Sequence, residues 1–94
     1  MIEVLIADDH PLVRKGIKQT LSETDEITVA GEAGDCAEVL QKMRERRFDV
    51  LLLDISMPGR GGIDVLKQIR GLGLDVAVLI LSVFPDLNHL SSST

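Results

Sequence analysis

The 94 residues predict an α/β fold, with a doubly wound parallel sheet of strand order 2-1-3-4. Three observations carry that expectation. The runs Val4-Leu5-Ile6-Ala7, Val50-Leu51-Leu52-Leu53 and Val76 to Leu81 are continuously apolar, as in strands buried on both faces. Segments with apolar residues at helical spacing lie between strand-like runs. The resulting order, β-α-β-α-β-α-β, demands right-handed crossovers and helices on both faces of the sheet.

Residues 2–7 form the first expected strand, short, branched and bounded by acid. Pro11 suits the first turn of a helix, and Leu12, Val13, Gly16, Ile17, Thr20 and Leu21 continue it to about residue 23. Residues 27–32 alternate more than the first run and are expected nearer an edge. Ala33, Ala37, Leu40 and Met43 are expected to line one face of a second helix ending near Arg47. Residues 49–53 make the third strand. Gly59, Gly61 and Gly62 form a loop that serves backbone geometry, since their spacing matches neither a P-loop nor a dinucleotide fingerprint. Ile63, Leu66 and Ile69 place a third helix stopping around Gly71 to Gly73. Val76 to Leu81 is the fourth strand, and its apolar run, like those of strands one and three, is read as central. The remainder, finishing in Ser91-Ser92-Ser93-Thr94, has weak periodicity and leaves the fourth strand as an open edge.

Composition bounds the function. The length fits one small domain. Apolar residues make up 45% and aromatics 2%, so the core is aliphatic, and a mean hydropathy of +0.20 fits doubly buried strands. A net charge of −5 and a pI near 4.8 argue against direct nucleic-acid contact. The basic stretch Arg44-Glu45-Arg46-Arg47 is interrupted by acid and reads as a solvated helix end. Cys36 is the single cysteine, which rules out an internal disulfide and a cysteine-built metal site. No apolar stretch approaches the roughly 20 residues that span a bilayer. Met1-Ile2-Glu3-Val4 lacks the basic start and cleavage site of a signal peptide, so the chain is expected in the cytoplasm.

The chemistry lies at the carboxyl ends of the strands. The first run delivers Asp8 and Asp9, and the third delivers Asp54, at the edge where open α/β sheets bind ligands. In order 2-1-3-4 the switch point falls between strands one and three, where these acids emerge. Converging carboxylates are costly unless a cation or proton relieves them. Oxygen donors, with only His10 nearby, favour a hard ion such as Mg²⁺. A carboxylate beside such an ion can attack phosphorus and form an acyl phosphate. Ser82, closing the fourth strand, places a hydroxyl within reach of a phosphate on Asp54.

Asp8-Asp9-His10, Asp54-Ile55-Ser56-Met57-Pro58-Gly59 and Leu81-Ser82, in that order, resemble the receiver domain of two-component response regulators, a flavodoxin-like (CheY-like) fold. The stretch from Val4 to Arg14 is most similar to the NarL/FixJ type, whose members usually carry a C-terminal helix-turn-helix domain. The resemblance covers residues 1 to about 86, giving a receiver domain over 1–86 and an atypical tail over 87–94. It implies that Asp54 is the phosphoacceptor and Ser82 the switch hydroxyl. It also implies that Asp9, Asp8 and the backbone carbonyl of Ser56 hold Mg²⁺ with Asp54, and that the partner is a sensor histidine kinase. Met57 and Pro58 would shape the adjoining loop. The family's fifth strand ends in a lysine, whereas no lysine follows Lys67 here, so the fold is expected to stop short after its fourth strand. The open edge is then expected to be relieved by a homodimer, with elements exchanged between chains.

Singly, each of these residues has a plainer reading. Asp9 or His10 can cap the helix starting at Pro11; His10 can instead line the acid site, but a cap is the role expected for it. Ser82 can be an ordinary strand-end hydroxyl. Only the motifs taken together favour phosphoryl transfer. One rival is a phosphatase of the haloacid dehalogenase type, but Asp8-Asp9-His10 does not put a second acid two positions after a first-strand nucleophile. An enzyme is therefore not expected. The other rival is a phosphorylation-independent interaction module, which predicts a dimer insensitive to Mg²⁺ and to phosphodonor.

Overall fold

The computed structural model describes residues 1–54 and 61–81, the first three of the second stretch by backbone only. Its elements are β1 (Ile2–Ala7), α1 (Pro11–Leu21), β2 (Ile27–Ala33), α2 (Cys36–Glu45), β3 (Val50–Asp54), α3 (Gly61–Gly71) and β4 (Ala77–Leu81). The strands pair in parallel in the order β2-β1-β3-β4, as expected.

Strand alternation divides the core between the two faces. Leu5, Ala7, Leu51 and Leu53 join one buried cluster with Val39, Leu40 and Met43 of α2 and Val65 and Ile69 of α3. Helices α2 and α3 therefore cover this face. The reversed crossover puts α1 on the other face, where Val4 and Ile6 are also buried. No residue of α1 is itself buried, and Leu12 is 83% exposed. Val13, Ile17 and Leu21 are only half-buried, because β2 is the main surface against which α1 packs.

Local chemistry sets the helix ends. Asp35 caps α2 by accepting from the Glu38 N–H at 2.8 Å, while Glu38 reaches back to the Gly34 N–H at 2.7 Å. In α3, Leu74 N–H donates to the Ile69 carbonyl at 3.2 Å and Gly73 N–H to that of Arg70 at 3.1 Å. This is the paired Schellman closure, and Gly73 takes the left-handed φ of 71° that it needs. Gly73→Ala is expected to lower stability by about 1 kcal/mol, read as a shifted urea midpoint at unchanged slope. Gly31 is needed for space. Beside the β1–β2 register shift, a Cβ there would come within 3.2 Å of Leu5 Cδ1 and 3.3 Å of Phe48 Cζ.

Two expectations are corrected. Strand β4 is not central: among the described residues it is the sheet edge, with Leu79 57% and Ile80 50% exposed. Its unbroken apolar run looks like that of β3, and sequence alone does not separate an uncovered strand from a covered one. The inner face of α2 is Cys36, Val39, Leu40 and Met43, since the helix begins only at Cys36. Ala33 closes β2 as a buried strand residue, and Ala37 points outward.

Candidate phosphoacceptor and metal site

Parallel register brings the acids together. Ala7 pairs with Leu53, so the next positions, Asp8 and Asp54, leave the sheet side by side. Backbone bonding holds the turn: Asp8 N–H donates to the Ala33 carbonyl at 3.0 Å, anchoring the end of β1 to β2. Asp8 Oδ1 in turn accepts the His10 N–H at 2.7 Å, a tight Asx turn that leads directly into Pro11.

Asp8 and Asp54 are both fully buried, and Asp9 is partly exposed. Donor atoms of Asp8, Asp9, His10 and Asp54 lie within 4.8 Å of one another. Carboxylates so close and so withdrawn from water repel unless a positive charge stands among them. The His10 ring takes that position, with Nδ1 at 2.9 Å from Asp9 Oδ1, 3.1 Å from Asp8 Oδ1 and 3.7 Å from Asp54 Oδ2. The hydrogen bond with Asp8, then the charge of Asp9, raise the pKa of His10 above its ordinary value.

His10 stands at the N-cap position of α1 but makes no side-chain capping bond there. The capping role expected for it is therefore not what the structure shows, because the Asx turn swings the ring towards the acids. Its position next to Asp8-Asp9 was the available signal. Ser56, Met57, Pro58 and Ser82 lie outside the described residues; the β3–β4 register ends with Asp54 opposite Leu81.

The donor set fits a hard divalent ion. Three carboxylates supply oxygen ligands, and Asp8 Oδ2 is buried with no hydrogen-bond partner among the described residues. A buried carboxylate oxygen left in this state is what a bound cation satisfies. The site opens at the carboxyl edge of the two central strands, where the acids can meet both a cation and an incoming phosphoryl group.

Comparison with known proteins gives the family. The chain is 41% identical over 83 residues to the response regulator GacA of Pseudomonas syringae pv. syringae, spanning 88% of this chain and 39% of that protein. It is likewise 41% identical over 83 residues to the response regulator UvrY of Escherichia coli, covering 88% and 38%. It thus spans about two-fifths of the length of these relatives. Among solved structures, the signal receiver domain of the response regulator NarL from Mycobacterium tuberculosis superposes with a TM-score of 0.82 at 35% identity, over 98% of this chain and 76% of that one. The non-phosphorylated receiver domain of the stress response regulator RcsB from Escherichia coli gives 0.81 at 30% identity, over 98% and 72%. The response regulator receiver domain family matches residues 4–93, and with the sheet order and the acid cluster this makes the chain a member of that family.

Proposed function

We propose that Asp54 accepts a phosphoryl group from a sensor histidine kinase. The observation that carries this reading is the convergence of Asp8, Asp9 and Asp54 at the ends of β1 and β3, with a buried Asp8 oxygen that has no hydrogen-bond partner among the described residues. The Asp54 carboxylate attacks phosphorus, the bond from phosphorus to the kinase imidazole breaks, and an acyl phosphate forms. Asp8 and Asp9, with Asp54 and the Ser56 carbonyl, would hold Mg²⁺. When bound, the ion neutralises charge on the transferring group. The protein's part is to fix the nucleophile rigidly at a strand end and to keep the surrounding acids aligned.

Ser82 then acts as the switch, its hydroxyl turning to the new phosphate and carrying its loop along. The receiver domain occupies residues 1–86, with 87–94 a tail. In a longer parent resembling GacA and UvrY, the mark would govern transcription through a separate DNA-binding domain, this segment touching neither nucleic acid nor membrane. The site of action in that reading is the cytoplasm; no helix among the described residues is long and apolar enough to cross a membrane. The test is intact mass after incubation with Mg²⁺ and acetyl phosphate. A gain of one phosphate (roughly 80 Da) is expected, and Asp54→Asn or chelation should abolish it. An equal gain in the variant would contradict the assignment.

Strand β4 supports a further reading, association of two chains. Its exposed Leu79 and Ile80 sit on what is, among the described residues, a sheet edge, with no charge or proline from Ala77 to Leu81. A homodimer, with or without exchanged elements, covers that edge. Light scattering across a wide concentration range should report a dimer, and a monomer throughout would contradict it.

A further inference from the structure

At the end of the sheet opposite Asp54, a cavity of about 340 Å³ opens between the end of α2 and the turn after α3. That volume lies within the range of small-ligand pockets, about 300–1,000 Å³. Its floor is carbon: Met43, Phe48 and Val76 are all buried, and half-buried Leu74 forms one wall. Arg44, Arg46 and Arg47 stand on its rim, against a single acid, Asp75.

The rim charges are not equivalent. Arg46 Nη2 lies 2.6 Å from Glu3 Oε1, and its guanidinium sits 5.0 Å from the centre of the Phe48 ring. Asp49, the next acid in sequence, already accepts the Glu3 N–H at 2.8 Å. Arg44 and Arg47 make no ion pair among the described residues. Among the groups that line the cavity, Arg46 is paired with Glu3 and Asp75 offsets a second guanidinium, so one lining positive charge is left over. An apolar floor below one surplus cation matches an amphipathic monoanion. A multiply charged phosphate ester would meet too little positive charge and too much carbon.

We propose that this cavity binds a small carboxylate with a medium-length apolar body, its head between Arg44 and Arg47 and its body over Met43, Phe48 and Val76. The site adjoins the beginnings of β3 and β4, because Phe48 precedes Val50 by two residues and Val76 directly precedes Ala77. Occupancy therefore braces the strand that carries Asp54 from its far end. This role is separate from phosphoryl transfer.

The experiment is an NMR titration of the full chain with octanoate, and with octanol as the uncharged control, following methyl signals of Met43, Leu74 and Val76. Saturable shifts at these methyls are expected with octanoate, and weaker binding with octanol. Arg44→Gln with Arg47→Gln should weaken octanoate about fivefold, the loss of two partly exposed charge contacts, and leave octanol unchanged. If the double variant fails to fold, Arg47→Gln alone is read, with a smaller loss of the same kind expected. Shifts that never saturate, an affinity indifferent to the arginines, or shifts centred on Val13 and Ile17 of α1 would overturn the proposal.

Discussion

Asp8→Asn should raise the melting temperature of the metal-free protein and remove most of its stabilisation by Mg²⁺. The two halves have one cause. Asp8 is fully buried, and the donor atoms of the acid cluster lie within 4.8 Å of one another. At that separation two unit charges repel by about 3 kcal/mol at an effective dielectric constant near 20. The His10 ring offsets part of this, being exposed to solvent and shared among three carboxylates. Asparagine removes one charge and keeps an oxygen for the His10 N–H, so the turn into α1 survives. With the acid intact, Mg²⁺ at a hundred times its dissociation constant adds about 2.7 kcal/mol. In a domain of this size that is more than about ten degrees in melting temperature. Thermal scans of both proteins, with Mg²⁺ and with chelator, read both halves at once. A variant less stable than the parent without metal, or one that responds to Mg²⁺ as fully as the parent, would show that the cluster does not hold the ion as described.

Leu51→Ala should cost about 2–5 kcal/mol, a large share of the 5–15 kcal/mol typical of a whole domain. Leu51 is wholly excluded from water in the middle of the sheet. Its strand is flanked by β1 on one side and β4 on the other, and its side chain belongs to the cluster packed under α2 and α3. Truncation leaves a cavity that rigid strands close poorly. The effect reaches function because β3 is the element that presents Asp54, three positions further along. Urea unfolding should show a lower midpoint at unchanged slope, together with a weakened response to Mg²⁺. Leu72→Ala is the control: Leu72 is 50% exposed in the turn after α3, and its loss should change stability by less than about 0.5 kcal/mol. Equal effects at the two positions would contradict the assignment of the core.

Much of this architecture was legible in the residues. Val4 to Ala7 and Val50 to Leu53 are central strands because continuous branched runs have few other stable fates, and their terminal acids meet because the parallel order puts β1 beside β3. Pro11 and Gly73 marked helix ends through backbone restrictions that any sequence exposes. What sequence concealed depended on surroundings. Val76 to Leu81 has the composition of a covered strand, yet β4 is an edge among the described residues, since coverage comes from neighbours and not from the strand itself. Ala33 and Ala37 fit a helical spacing, but the cap at Asp35 starts the helix at Cys36 and shifts the inner face. For His10, position in the sequence favours a cap over a place lining the acid site. Its true company follows from a turn that only the backbone hydrogen bonds reveal.

Asp54, and not one of its acidic neighbours, is proposed to carry the phosphoryl group. An acyl phosphate is reduced by borohydride, which converts the modified aspartate to homoserine and leaves unmodified carboxylates intact. Peptide mass spectrometry after phosphorylation with acetyl phosphate and Mg²⁺, then reduction, should find homoserine at position 54 and aspartate at positions 8 and 9. Homoserine at 8 or 9, or a phosphate that survives reduction on a serine or threonine hydroxyl, would rule out Asp54 as the acceptor.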